Sequence, residues 1–78
     1  MTETIAEKNF KDGRVLVEYE KEWDKEPEVS IRFISMHGGA NFCPFGLRKC
    51  TREKLLTVLE SISPDDTFKG LFERFTGA

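Results

Sequence analysis

The sequence predicts an α+β fold: an antiparallel β-hairpin, followed by either a third edge strand or an irregular segment, packed against two C-terminal amphipathic helices. Three observations predict it. Residues 14–36 alternate apolar and polar side chains with period 2, the pattern of strands with one buried face. Gly38-Gly39 supplies the positive φ values of a tight turn. Near the C-terminus Phe68, Leu71, Phe72 and Phe75 recur at i, i+3, i+4 and i+7, an apolar helical stripe.

A chain of 78 residues makes one domain, taken here as 1–78, with a loosely ordered start at 1–12, a β-sheet region at 14–47 and two helices within 51–76. A domain of this size buries a modest share of its surface. Its seven phenylalanines supply large buried area per residue. Beyond Met1, only Ile5, Ala6 and Phe10 in residues 1–12 are apolar, and Ile5 and Phe10 share no good helical face. The expectation is a loose segment or a short helical turn that docks Phe10. Asp12-Gly13 then reads as a turn.

Val15, Val17, Tyr19 and Trp23 define the inner face of the first strand, residues 14–23, interrupted at Lys21. Glu18, Glu20 and Glu22 fall between them. Residues 24–27 are charged and end in Pro27, a loop. The returning strand, 28–36, puts Val29, Ile31 and Phe33 on the matching face. Odd-numbered residues must meet odd-numbered ones. The register that sets Trp23 opposite Val29 and Tyr19 opposite Phe33 also sets Glu20 opposite Arg32, a favourable cross-strand charge pair. Leu16, Ile34 and Met36 are apolar on the other face, a patch that is either covered or used for contact.

After the Gly-Gly turn, residues 41–47 fit a strand with Cys43, Phe45 and Leu47 on one face and Phe42 on the other, while Pro44 confines it to an edge or breaks it. Thr51 is an N-cap for a helix reaching about Ile62, with Glu53 in its first turn and Leu55, Leu59 and Ile62 on one face. Ser63-Pro64-Asp65-Asp66 offers a capping serine, a proline at the first helical position and two acids, so the second helix is expected from there to about Phe75. Thr76-Gly77-Ala78 reads as a frayed end.

The net charge is −2, with −4 in residues 1–28, +3 in 29–63 and −1 in 64–78. That distribution argues against strong non-specific nucleic-acid binding and leaves room for a local basic patch. The patch is Arg48, Lys49, Arg52 and Lys54, to which Arg32 is a candidate addition, with Phe42 and Phe45 nearby as stacking surfaces for single strands. The acidic counterpart is the run Glu18, Glu20, Glu22, Asp24, Glu26 and Glu28, which either solvates the hairpin or meets a basic partner.

Chemistry-bearing motifs are scarce. His37, Cys43 and Cys50 make a poor metal set, lacking both ligands and spacing for zinc. Cys50 stands ahead of a helix and beside bases, where a thiolate is favoured, so it is the candidate reactive thiol, but no base is placed by sequence to assist it. His37-Gly38-Gly39-Ala40 lacks the lysine and context of a phosphate loop. No cofactor or metal is expected.

The expected function is therefore non-enzymatic: a small protein-binding or regulatory module, with a nucleic-acid-binding domain as the alternative. Its binding surfaces are Arg32, Phe42, Arg48, Lys49, Arg52 and Lys54 on one side and Leu16, Ile34 and Met36 on the other. The expected partner is another protein, including a second copy of the chain as a homodimer. Nucleic acid is the second choice and a membrane is not expected. Absence of a basic-then-apolar leader and of an apolar span suggests a cytoplasmic protein with reduced thiols. Size and want of motifs suit a small accessory protein of the kind phages and mobile elements carry.

Overall fold

Alternation of apolar and acidic side chains does build the central hairpin, but the sheet around it is wider than the pattern suggests. The computed structural model describes residues 2–77. Its elements are β1 (Thr2–Phe10), β2 (Gly13–Glu20), β3 (Glu28–Ser35), β4 (Asn41–Phe42), a 3₁₀ turn (Leu47–Lys49), α1 (Arg52–Glu60) and α2 (Phe68–Thr76). The sheet order is β1-β2-β3-β4, with every neighbouring pair antiparallel. The arrangement is α+β: a four-stranded antiparallel sheet with two helices after it.

β1 is the largest departure from the sequence reading. Residues expected to be loose form a nine-residue edge strand, Met1 lying outside the described residues. A β-bulge explains why the strand is hard to see. Pairing runs Glu3↔Tyr19 and Thr4↔Glu18, then resumes at Ala6↔Val17, so Ile5 is an extra residue. After it, Ala6, Lys8 and Phe10 face the side that Glu3 faced before it. The period-2 alternation therefore changes phase mid-strand, and no continuous pattern survives in the sequence.

The β2–β3 register keeps the expected parity and differs in its pairs. Val15 faces Phe33, Val17 faces Ile31 and Tyr19 faces Val29. The anticipated pairings of Trp23 with Val29, Tyr19 with Phe33 and Glu20 with Arg32 do not occur. Under that register Val17 would have faced Ser35; the observed one gathers Val15, Val17, Ile31 and Phe33, all fully buried. The hydrophobic gain from four buried side chains outweighs the burial of one indole. In consequence β2 ends at Glu20, and residues 21–27 form the tip.

The segment after Gly38-Gly39, both at positive φ, is mostly irregular. β4 has only two residues, with Phe33↔Phe42 and Ile34↔Asn41. Cys43, Phe45 and Leu47, expected on one face, part company: Cys43 and Phe45 are exposed while Leu47 packs on the core, and Pro44 is buried.

Core side chains from the sheet and from Leu55, Leu59, Ile62 and Leu71 form one cluster on the helix side. Phe33 stacks on Phe42 at 4.7 Å between ring centroids and on Phe75 at 5.2 Å, and Phe42 meets Phe68 and Phe72 edge-on. Of the helical residues expected to cover the sheet, Leu55 and Leu59 are buried and Phe68 and Phe75 half-buried, but Phe72 is 41% exposed and Leu71 takes the innermost position on α2.

Thr51 caps α1 as expected, its hydroxyl accepting from the Lys54 N–H at 3.3 Å. Lys8, on the helix-facing side of β1, donates from Nζ to the Glu60 carbonyl at 3.2 Å, a cation at the helix C-terminus. The second helix starts later than its cap signal. Ser63 and Asp66 do bond each other's backbone, Ser63 N–H to Asp66 Oδ2 at 2.8 Å and Asp66 N–H to the Ser63 carbonyl at 3.0 Å, but they close a turn. A continuing helix would need the Asp66 carbonyl for Gly70 and the Phe68 N–H for Pro64. Both are taken: Lys11 N–H donates to the Asp66 carbonyl at 2.9 Å, and Phe68 N–H donates to Asp12 Oδ1 at 2.7 Å. Thr67 therefore becomes the cap, accepting from Gly70 N–H at 3.1 Å. At the other end α2 runs through Thr76 and is capped by Gly77 in the left-handed region, so Thr76 and Gly77 belong to the helix end; Ala78 lies outside the described residues.

The Asp12-Gly13 corner thus joins β1, β2, β3 and α2. The Asp12 carbonyl accepts from Met36 N–H at 3.0 Å while its carboxylate holds α2. Gly13 is buried where an added Cβ would run into the Ile34 carbonyl oxygen and lie 2.7 Å from the Phe10 ring. Gly13→Ala is expected to destabilise the fold by about 2 kcal/mol or more, because backbone and a core ring must both move. Asp12→Ala should cost about 1 kcal/mol through loss of the bond to the α2 N-terminus. Urea midpoints measure both, and an unchanged midpoint for Gly13→Ala would show that the corner is looser than described.

Candidate functional site

The basic segment is an exposed surface built by two short devices. Arg48 and Lys49 ride on the 3₁₀ turn, and Arg52 and Lys54 on the first turn of α1. Lys49 Nζ lies 4.8 Å from the centroid of the Phe45 ring, which is 69% exposed. None of the four bases has an ion-pair partner among the described residues. Phe42 is not available beside them, because its ring is spent on Phe33, Phe68 and Phe72. Cys43 is exposed and Cys50 half-buried, both free thiols; the Cys50 sulfur donates to the Gly46 carbonyl at 3.5 Å.

Arg32 does not join that segment. It lies on the sheet face away from the helices, where its Nη2 approaches Glu18 Oε1 at 2.6 Å. The contact is an ion pair and not an aligned hydrogen bond: Arg32 Nε is buried with no acceptor, and Glu18 Oε1 meets no hydrogen-bond geometry. The Glu18 side chain is only 13% exposed, so it is a carboxylate held down against the sheet. Arg14 and Glu7 face each other at 3.7 Å on the same side. Among these charges Leu16 is buried, Ile34 is half-buried and only Met36, at the turn, is exposed. The expected apolar patch on the second face is therefore not continuous.

The feature that sequence reasoning missed is the hairpin tip. Trp23, the chain's single tryptophan, was expected in the core and is 100% exposed. Beside it a shallow groove of about 330 Å³ is lined by Glu3, Tyr19, Lys21, Glu22 and Trp23. Next to the groove lies an acidic hollow formed by Glu20, Glu22, Lys25, Glu26 and Glu28. Glu20 and Glu28 are directly paired across the strands, a like-charge contact that costs stability. Lys25 is the local counter-ion, 3.1 Å from Glu22. Its hydrogen bond and charge contact with Glu22 raise the ammonium above its ordinary value, and Glu28 and Glu20 push the same way. A signal for the exposed indole was present in the sequence. Lys21 breaks the alternation, and Trp23 is followed within four residues by Asp24, Lys25, Glu26 and Pro27.

His37 is exposed in the β3–β4 turn, its backbone N–H donating to Ser35 Oγ at 3.1 Å. Among the described residues no three His, Cys, Asp or Glu side chains are grouped to hold a metal ion, and no helix is long and apolar enough to cross a membrane.

Replacing Glu28 by Lys converts the repulsive Glu20–Glu28 pair into an attractive one. The expected outcome is a gain of roughly 0.5 kcal/mol, read from urea unfolding followed by far-UV circular dichroism. A loss of stability would mean that the strands do not pair at Glu20.

Comparison of the chain with protein-family models, with curated proteins and with solved structures returned no significant match, so its reading rests on these surfaces.

Proposed function

We propose that the chain is a non-enzymatic protein-binding module that grips its partner through the β2–β3 tip, with Trp23 as the anchor. The observation that carries this reading is the full exposure of Trp23 beside the Tyr19 groove. A tryptophan buries about 150–250 Å² when covered. Tryptophan is also enriched among the few residues that dominate binding energy. An apolar group rimmed by Glu3, Lys21 and Glu22 has the layout of a contact site with a wet border.

The side chains with nucleophile or base chemistry support the non-enzymatic half of the reading by standing apart. His37 sits in a turn, Cys43 is exposed and Cys50 is bonded to a backbone carbonyl. A nucleic-acid contact would have to run through Phe45 and the basic segment alone, since the Phe42 ring is internal and the open sheet face carries paired charges of both signs. The protein reading is preferred for that reason. It is compatible with a reducing, cytoplasmic setting for the two thiols, and with a regulatory role exerted by binding alone.

The test uses the immobilised full chain, wild type and Trp23→Ala, exposed to soluble protein from its host. The wild type is expected to retain a protein that Trp23→Ala retains at least about tenfold less. Since Trp23 makes no core contact, the variant should unfold at the wild-type midpoint. Equal retention by the two, or none by the wild type, would remove the tip as a contact surface for a host protein.

A further inference from the structure

We infer that a second copy of this chain is the partner of the tip, its basic segment receiving Trp23; the inference rests on the tip being a contact surface. The argument is charge. Residues 20–28 hold five acids and two bases, or −3, and residues 48–54 hold four bases and one acid, or +3. The two surfaces are not neutralised within one molecule. Glu22 pairs with Lys25 inside the tip itself, and no ion pair joins the tip to the basic segment among the described residues. Glu20 and Glu28 remain opposed, and Arg48, Arg52 and Lys54 have no ion-pair partner among the described residues.

The apolar parts match as well. Phe45 is an exposed ring with the Lys49 ammonium over it. An indole seated there stacks on the ring and offers its face to Lys49 and Arg48, a cation–π contact. The partner's bases would then fall against Glu20, Glu26 and Glu28, relieving the like-charge pair that the isolated hairpin carries.

Tip and segment are different surfaces, so the contact is heterologous: each copy uses its tip on one neighbour and its segment on another. Such contacts generate rings where the rotation closes and open chains where it does not. An interface of this extent belongs to the small class, under about 1,200 Å², so association is reversible and depends on concentration. Its charged part weakens as the screening length falls from about 8 Å at physiological salt to about 3 Å at 1 M.

Sedimentation velocity of the purified full chain tests this. The wild type should sediment above its 9.0 kDa monomer as concentration rises at low salt, and return towards the monomer at high salt. Trp23→Ala should remain monomeric, as should the double variant Arg48→Glu, Lys49→Glu. Mixed in equal amounts, the two should form a species of twice the chain mass and no larger one, because only one intact tip and one intact segment remain. The tryptophan of the segment variant should shift its emission to the blue on mixing. Far-UV circular dichroism on each variant separates loss of contact from loss of fold. A wild type that stays monomeric overturns the inference, as does association that survives in both variants, which would place the contact elsewhere, such as the β1 edge. A monomeric chain that still retains a host protein through Trp23 overturns the second copy as partner and leaves the tip as a contact surface.

Discussion

The fold depends on the corner at Asp12 and Gly13. Three strands and a helix meet there over two residues, through three separate points of contact. The Asp12 carbonyl holds the end of β3 through Met36, its carboxylate holds the start of α2 through Phe68, and the bare α-carbon of Gly13 lets the Ile34 carbonyl and the Phe10 ring close in. Lys11 adds a backbone bond to Asp66. Once that corner is made, α2 has a fixed origin, and its aromatic residues fall on Phe33 and Phe42. A small domain has little core to spare, so joining sheet and helix with hydrogen bonds at one corner fixes a geometry that burial alone would leave loose.

The parts of this fold that were legible in the sequence are those where one rule acts alone. The odd-numbered face of the hairpin reads correctly because Val15, Val17, Ile31 and Phe33 obey period 2 without interruption. The Thr51 cap reads correctly because nothing in the tertiary structure competes for its bonds. Illegible parts are those where two rules compete. The bulge at Ile5 reverses the phase of β1, and the strand disappears from any search for alternation. The Ser63–Asp66 turn has the right local chemistry for a helix start, yet Lys11 and Asp12, more than fifty residues away in sequence, occupy the groups that a helix would need.

The candidate site divides the same way. Arg48, Lys49, Arg52 and Lys54 were recognised as a cluster because they are contiguous, and short-range geometry keeps them together on the surface. Arg32 was associated with them by charge alone and belongs to a different face, drawn there by Glu18. Phe42 is a candidate surface ring by its closeness in sequence to those bases, whereas in the fold its ring packs against Phe68 and Phe72 of α2. Trp23 falls on the inner face by the period-2 alternation it shares with Val15, Val17 and Tyr19. The register that buries Val15 and Val17 leaves it outside, and this exchange converts an expected core residue into the most exposed large hydrophobic side chain among the described residues.

The bulge in β1 has a bearing on solubility. β1 is an edge strand of nine residues, long enough to template the growth of sheet between molecules. Its ladder is broken at Ile5, and Glu3, Glu7 and Lys8 punctuate it on either side of the break. A kinked, charged edge is a poor docking rail for another strand. The irregularity that hides the strand from its own sequence therefore also protects the chain from amyloid-like stacking, and it lets the molecule carry an uncovered indole at one end without an adhesive border along its side.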